Sequence, residues 1–253
     1  MRIKKVKRVK NLFGALLSFT SIKKWGVISE TYEITKFDHA FSISYSQSAE
    51  DLVLQQVLGS RMGFYIDVGA HHPSRFSVTR LLYQSGWSGI NVDANPDIAK
   101  LFKRERPRDK FIWAAIGNSA HYEFFQFMEP AISTTNNSWK DRFEAEGNSV
   151  INEIQVPGLR LFDLIRKLPE DQEVDLLNID IEGSDFDAFQ SLNLSELPSK
   201  KIPKFLVLES SWPISLAIKT DSVQLAISQG YEPILVLPMT TILRWPSLTS
   251  SGN

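Results

Sequence analysis

Short apolar runs alternate with amphipathic stretches from about residue 41 to near the end of the chain. This alternation predicts βα units arranged around a mostly parallel sheet. Three apolar runs, residues 63–70, 89–93 and 174–181, carry Asp or Gly at or near their carboxyl ends, which is typical of buried strands that meet tight turns. The pattern therefore predicts an α/β, Rossmann-like fold.

The other elements follow from spacing and from the residues that begin or end helices. Ser48 is a candidate cap for a helix over residues 47–58, Gly86 closes a helix over residues 75–85, and Pro96 opens the next one. Further helices are predicted over residues 185–192 and about 222–229. The remaining strands are expected at residues 110–116, 121–127 (an added edge strand), 205–208, 231–237 and 241–245, the last of them antiparallel.

Composition indicates one soluble domain, expected over residues 41–253. The chain has 253 residues, of which 43% are hydrophobic and 23% are charged, as in ordinary globular proteins. Residues 130–148 are polar and are predicted to form a surface insertion. The absence of cysteine excludes disulfide bonds, cysteine-ligated zinc and thiol nucleophiles. A reducing cytoplasm is therefore the expected compartment.

Residues 1–40 form a basic and apolar N-terminal extension. Its first ten residues carry six cations and no acid, and a short apolar patch follows. Two alternatives stay open: a loosely docked basic tail, or an interfacial helix through which residues 1–24 contact anionic lipid at the inner face of the membrane. The patch is too short for a transmembrane helix, and no basic stripe elsewhere indicates nucleic-acid binding.

The turn after the first strand carries the first candidate chemistry. Gly69 allows backbone to approach a ligand closely, and the following helix is expected to offer free N–H groups to an anionic end. Asp93 ends the second strand, where a carboxylate would accept hydrogen bonds from an adenosine ribose. His71 and Ser74 occupy the positions of the second and third glycines of a dinucleotide motif. An adenosine ligand without a pyrophosphate is therefore favoured over NAD.

Two carboxylates at the end of the most hydrophobic strand give a further signal. Asp180 and Glu182 stand just before Gly183, at the carboxyl end of residues 174–181. Carboxylates at the end of a buried strand are costly unless they have partners or a task. They are expected either to meet the reacting group or, in the simpler alternative, to provide a helix cap and a surface charge.

Four motifs in this order resemble those of FkbM-type methyltransferases: residues 45–52 (YSQSAEDL), 65–70 (YIDVGA), 91–96 (NVDANP) and 177–183 (LNIDIEG). The resemblance covers about residues 41–245. It implies the class I methyltransferase fold, which is a mostly parallel seven-stranded sheet with helices on both faces and an antiparallel last strand. It also implies S-adenosylmethionine as cofactor and O-methylation, commonly of sugar or polyketide hydroxyl groups.

The resemblance also implies a cofactor site at the ends of the strands. Asp67 and Gly69 would line the methionine end, and Asp93 would hold the ribose. The adenine would lie between Ala115 and Ile116, with Asp180 near the methyl group. Gln47, Ala70 and His71 complete the implied cofactor-binding set. The commoner family turn has Asn and another Gly where this chain has His71, His72 and Pro73, and this departure leaves the acceptor undefined.

The general base is predicted to be Asp180 or Glu182, with His71 or His72 as the rival, because a hydroxyl group is a poor nucleophile at neutral pH. These histidines and carboxylates would also suit a divalent metal ion, and a plain structural role stays open for each histidine.

Three further residues are candidates for substrate binding. Glu209 ends another apolar strand at the same edge of the sheet and could hold a substrate hydroxyl, with a salt bridge as the alternative. Trp139 and Trp212 fall in segments expected near the mouth of the site, where aromatic faces stack on sugar rings. Ordinary core or rim packing is the alternative for both tryptophans.

The sequence thus predicts an O-methyltransferase that acts on a hydroxyl of a small molecule or glycan. One competing hypothesis is an NAD-dependent or nucleotide-sugar-dependent Rossmann enzyme, against which the missing second glycine and the lack of a Tyr-x-x-x-Lys dyad count. Another is a catalytically inactive binding module, against which the retained strand-end carboxylates Asp67, Asp93 and Asp180 count. The oligomeric state is not defined by the sequence.

Overall fold

The computed structural model describes residues 42–59, 61–210 and 213–246, and those from Ser44 onward belong to one compact unit. The N-terminal extension, with its expected membrane contact through residues 1–24, lies outside the described residues, and so does Trp212. Within the described ranges, no helix is long and apolar enough to cross a membrane.

Seven strands form the main sheet and three form a smaller one. The strands are β1 Phe64–Val68, β2 Ser88–Asp93, β3 Lys110–Trp113, β4 Ala115–Ile116, β5 His121–Phe127, β6 Val150–Leu159, β7 Leu176–Ile179, β8 Phe205–Glu209, β9 Glu232–Leu237 and β10 Thr240–Arg244. The main sheet has the order β3-β2-β1-β7-β8-β10-β9, in which only β10 is antiparallel to its neighbours. The predicted mostly parallel, seven-stranded sheet is confirmed.

Helices lie on both faces of the main sheet. They are α1 Glu50–Leu58, α2 Arg80–Gln84, α3 Ala99–Glu105, α4 Asn137–Ala145, α5 Leu161–Arg166, α6 Asp185–Gln190, α7 Ile214–Ala217 and α8 Asp221–Ser228. Short 3-10 turns span Pro96–Ile98, Pro130–Ile132, Leu194–Glu196 and Ser199–Lys201. The predicted opening of a helix at Pro96 is confirmed, since its 3-10 turn leads directly into α3.

Alternate residues of the central strands face two separate apolar layers. On β7, Leu177 and Ile179 pack with side chains of α5, α6 and α8, whereas Leu176 packs with α1 and α2. Side chains of a strand point to opposite faces in turn, so β1, β7 and β8 are covered on both sides. This burial explains why these strands appear in the sequence as continuous apolar runs.

The helix predicted over residues 75–85 is shorter than expected. It begins only at Arg80, and residues 73–79 form turns instead. The fully buried Arg106 holds these turns by donating to the carbonyl of Pro73 (2.6 Å) and to the hydroxyls of Ser77 and Thr79. The predicted cap of α1 is also wrong, since Ala49 occupies the N-cap position and the hydroxyl of Ser46, not that of Ser48, accepts from the N–H group of Asp51 in the first turn (3.3 Å).

The region after β3 differs from the sequence prediction. The single strand expected at residues 110–116 divides at Ala114, and its second part, β4, joins the smaller sheet. Residues 121–127 do form a strand, but it lies in the smaller sheet of order β4-β6-β5 rather than at an edge of the main one. Its partner β6 was not predicted from the sequence.

Candidate functional site

A cleft lies where β1, β2 and β7 end. The three strands are in register, with Asp67 of β1 opposite both Asn91 and Asn178, so their carboxyl ends open onto the same edge of the sheet. We call the space above them the first cleft; its empty volume is about 610 Å³, including open solvent. Its lining includes Val68, Gly69, His71, Asp93, Ala94, Asn95, Ala115, Ile116, Phe124, Thr134, Asp180 and Glu182.

Gly69 gives this cleft its shape. Its backbone has a φ of +78°, and a Cβ atom built there would lie 1.8 Å from the carbonyl oxygen of Asp180. Only glycine avoids both the left-handed strain and this overlap. The loop after β1 can therefore pack directly against the end of β7, which brings Gly69 and Asp180 to one wall.

The backbone N–H groups of the loop after Gly69 are already bonded within the protein. Those of Gly69 and Ala70 donate to the carbonyl of Val92, and that of His71 donates to the carboxylate of Asp93 (2.8 Å). The N–H group of His72 donates to the carbonyl of Ala70. The expectation that this turn leads into a helix with free N–H groups is thus wrong, and the loop presents no N–H cradle of the kind that binds a pyrophosphate.

Asp93 is positioned by two backbone donors. One carboxylate oxygen accepts from His71 N and the other from Asn95 N, each at 2.8 Å. Burial raises the pKa of Asp93 to about 6 even though these hydrogen bonds lower it. Each oxygen retains a lone pair, so the carboxylate can accept further hydrogen bonds from a ligand in the first cleft. Apolar side chains of Ala115, Ile116 and Phe124 stand in the same cleft.

Asp67 belongs to a buried polar network beneath the site. It accepts a hydrogen bond from Thr79 (2.6 Å) and another from Asn178 (2.9 Å), and it does not line the first cleft. Thr79 in turn accepts from Arg106, whose side chain is fully buried. The network ties the loop after β1 to the ends of β2 and β7, because Arg106 also contacts Asn91.

The polar segment 130–148 is more than a surface insertion. Thr134 donates to the backbone carbonyl of Glu182 (2.8 Å), and Asn136 donates to that of Gly183 (2.8 Å). Trp139 lies against Gly183, where a Cβ atom would come within 2.0 Å of the indole ring. Residues 130–135 therefore form a wall of the first cleft and hold the loop that follows β7.

A second cleft opens on the other side of Asp180 and Glu182, which line both spaces. Its empty volume is about 480 Å³. The remaining lining comes from α1 and the segment before it, the loop after β1, strands β7, β8 and β10, and the turn before β10. It consists of Gln47, Glu50, Phe76, Val78, Asn178, Val207, Glu209, Met239 and Thr240.

Carboxyl groups crowd the border between the two clefts. Desolvation and the neighbouring acids raise the pKa of Asp180 to about 6 and that of Glu182 to about 8. The pKa values of Asp185 and Glu209 are raised for the same reasons. Within the described residues, no side-chain or backbone group donates a hydrogen bond to the carboxyls of Asp180, Glu182 or Glu209. Glu182 therefore keeps its proton near neutral pH, whereas Asp180 is mostly ionised there, and both are free to exchange protons with a ligand.

The two histidines have different surroundings. His71 lines the first cleft, and burial with the nearby Arg75 lowers its pKa to about 4, so it is neutral near pH 7. His72 lines neither cleft, and its Nδ1 atom accepts from the backbone N–H groups of Ser74 and Arg75. This gives His72 a turn-stabilising contact and no contact with the carboxyl cluster.

A shared metal ion has no support from this geometry. Across residues 42–59, 61–210 and 213–246, no group of three or more His, Asp and Glu side chains is arranged to hold one.

The structure brings together most of the residues predicted for the site. Gly69, His71, Asp93, Ala115, Ile116 and Asp180 line the first cleft, while Gln47 and Glu209 line the second. Asp67, Ala70, His72 and Trp139 line neither cleft. Cleft-lining residues that the sequence did not reveal include Glu50, Phe76, Met239 and Thr240. Only Glu50 had a signal, since it falls inside the YSQSAEDL motif.

The chain also matches the sequence model of a known protein family. The model of the methyltransferase FkbM domain matches residues 67–227, which is more than half of the chain. The protein therefore belongs to the FkbM methyltransferase family, as its four motifs indicated. No protein of curated function matches the chain significantly in sequence.

Solved structures give distant matches. A TehB-like SAM-dependent methyltransferase from Corynebacterium glutamicum is 11% identical, with a TM-score of 0.41, over 87% of this chain and 99% of that one. The 1,6-didemethyltoxoflavin-N1-methyltransferase from Burkholderia thailandensis, solved with 1,6-didemethyltoxoflavin and S-adenosylhomocysteine, is 9% identical, with a TM-score of 0.42, over 90% and 92%. WbdD is 14% identical, with a TM-score of 0.39, over 77% of this chain and 38% of that one. Family membership accordingly rests on the family model and the motifs.

Proposed function

We propose that the protein transfers a methyl group from S-adenosylmethionine to a hydroxyl group of a small molecule or glycan. The observation that carries the proposal is that two clefts of different character meet at Asp180 and Glu182. The first cleft suits an adenosine, and the second is open to an acceptor. A methyl group would then pass between them at the shared carboxyl groups.

The residues of the first cleft fit the cofactor. Asp93 would accept hydrogen bonds from the ribose hydroxyls, and the apolar side chains of Ala115, Ile116 and Phe124 would flank the adenine. Gly69 leaves room for a ligand close to the backbone. The internally bonded N–H groups of the loop argue against NAD, because a pyrophosphate needs free donors there.

When bound, S-adenosylmethionine supplies an electrophilic methyl group on a sulfonium centre. The protein then has to align the acceptor oxygen, and alignment alone can lower a barrier by up to about 7–11 kcal/mol. Asp180 would take the hydroxyl proton on a carboxylate oxygen, with Glu182 as the alternative base. The pKa of Asp180, raised to about 6 by burial, makes this carboxyl a stronger base than an ordinary aspartate while leaving it mostly ionised at pH 7.

The variant Asp180→Asn tests this assignment. Calorimetry with S-adenosylhomocysteine measures cofactor-site binding, and release of S-adenosylhomocysteine from S-adenosylmethionine over a panel of alcohols and glycans measures methyl transfer. We expect a binding constant close to that of the wild type and a loss of transfer of about 10²–10⁴-fold. Asp171→Asn is the matched control, because Asp171 is exposed and lines neither cleft.

Two results would contradict the proposal. Binding of NAD without binding of S-adenosylhomocysteine would refute the choice of cofactor. Full transfer activity in Asp180→Asn would remove Asp180 as the base and direct attention to Glu182.

A further inference from the structure

The second cleft has a negative lining without a compensating cation. Glu50, Asp180, Glu182 and Glu209 line it, and no Lys, Arg or His among the described residues does. Two cations lie nearby, and each pairs with another acid. Arg142 lowers the pKa of Glu209 and Glu182 but pairs with Glu146 at 3.0 Å. Arg75 lies 4.4 Å from the ring centroid of Phe76 but pairs with Glu129 at 2.9 Å. An anionic molecule that entered this space would meet several carboxyl groups and no positive partner.

Three carboxyls of this cleft also lack a hydrogen-bond donor among the described residues. Glu50 has partners in Thr240 and the backbone of Ser48, but the carboxyls of Asp180, Glu182 and Glu209 accept none from the described residues. Behind them, Asp185 is only 7% exposed and its Oδ1 atom has no partner in the described part of the chain. Asp180 is exposed and Glu182 and Glu209 are half-buried, so water reaches their oxygen atoms. A ligand that carries hydrogen-bond donors would take the place of that water at the three carboxyls.

Two apolar side chains of the lining are exposed to solvent. Phe76 is 40% exposed and Met239 is 49% exposed, although both line the second cleft. Their φ values of +55° and +62° are unusual for large side chains, and such backbone strain is typical of ligand-binding segments. A ligand with an apolar face as well as hydroxyl groups would bury these side chains and satisfy the acids.

We propose that the second cleft binds the methyl acceptor, with Glu209, Phe76 and Met239 selecting an uncharged ring that carries adjacent hydroxyl groups and excluding anionic acceptors. This inference rests on the proposed function, since it requires the cofactor in the first cleft. A hydroxyl group both donates and accepts, which suits carboxyl groups that are partly protonated. An ammonium ion would instead need ionised partners, and the pKa of Glu209 is raised by burial and by neighbouring acids.

The test uses saturation-transfer NMR on the full chain saturated with S-adenosylhomocysteine. The probes are millimolar methyl glycosides of the common hexoses and deoxyhexoses, each paired with its uronate where one exists. We expect a saturation-transfer signal, which reports binding, from at least one neutral glycoside and from no uronate. Met239→Ser should weaken glycoside binding roughly tenfold through lost apolar contact. Glu209→Lys should admit a uronate. Met128→Ser and Glu196→Lys are matched exposed controls that line neither cleft and should behave as the wild type.

The possible failures can be told apart. If the wild type does not bind S-adenosylhomocysteine, the proposed function fails and this inference fails with it. If it binds, but no neutral glycoside gives a signal or uronates bind equally well, the assigned acceptor class is wrong. If Met239→Ser weakens S-adenosylhomocysteine as much as the glycoside, the second cleft holds the amino-acid end of the cofactor and the acceptor assignment is overturned.

Discussion

Glu182 should make the ligand-free protein less stable as the pH rises, and Glu182→Gln should remove this effect. Burial, Asp180 and Asp185 raise the pKa of Glu182 from 4.5 to about 8. Between these values the unfolded chain has lost the proton while the folded protein keeps it. Folding stability therefore falls with rising pH across this window, and the loss is complete above about pH 8.

The magnitude follows from the same numbers. A tenfold change in acidity corresponds to about 1.4 kcal/mol, so the difference between 4.5 and about 8 amounts to an upper limit of about 5 kcal/mol. Asp180 and Asp185 share part of this cost, since both raise the pKa of Glu182 and Asp180 also raises that of Asp185. A gain of about 2 kcal/mol for Glu182→Gln would raise the melting temperature by about 4–8 °C in a domain of this size.

The assay is thermal unfolding of the full chain without ligand, in buffers from about pH 5 to about pH 9. The melting temperatures of Glu182→Gln and the wild type should lie close together at the acidic end and separate steadily, with the variant higher. Glu196→Gln, at an exposed position outside both clefts, should follow the wild type at every pH. A difference in melting temperature between Glu182→Gln and the wild type that does not change with pH would refute the reasoning, and so would a variant that melts at a lower temperature than the wild type at about pH 9.

Three further substitutions test the walls of the site. Gly69→Ala should lower the melting temperature and abolish S-adenosylhomocysteine binding in calorimetry, because the new Cβ atom would lie 1.8 Å from the carbonyl oxygen of Asp180. A variant that folds and binds like the wild type would contradict this close approach. Asp93→Asn should weaken the same binding by about 1.5–3 kcal/mol through loss of charged hydrogen bonds, whereas unchanged affinity would remove Asp93 from the ribose site. Arg106→Met should lower the urea-derived free energy of unfolding by about 3–5 kcal/mol, because it leaves the carbonyl of Pro73 without its donor and removes the buried cation beside Asp109. A loss below about 1 kcal/mol would show that the network relaxes.

The strand ends that define the first cleft could be predicted because two signals coincide there. Around Asp67, Asp93 and Asp180, a continuous apolar run is followed at once by a carboxylate or glycine, and parallel strands bring such ends to one edge. Burial on both faces makes the runs apolar throughout, and this is the pattern that the sequence displays most clearly.

The second cleft could not be predicted because its walls come from turns whose contacts are distant in sequence. Phe76 lies in a segment with helical spacing, yet the buried Arg106, some thirty residues later, holds that segment as turns. Met239 stands in the tight turn between β9 and β10, where no motif marks it. Strand β6 was not predicted, because only one of its faces is buried and because Pro157 and Gly158 interrupt its hydrophobic pattern.

The internally bonded loop after β1 has a consequence for how quickly and tightly a nucleoside can bind. Since Gly69, Ala70 and His71 already have partners for their N–H groups, this wall holds one shape before any molecule arrives. Little chain entropy is then lost at that wall when a ligand binds. The free energy of the contacts made there therefore contributes to affinity with little entropic cost to offset it. Ligand binding at the loop after β1 should therefore occur in a single step. Any slow rearrangement seen in stopped-flow traces would have to come from another part of the molecule.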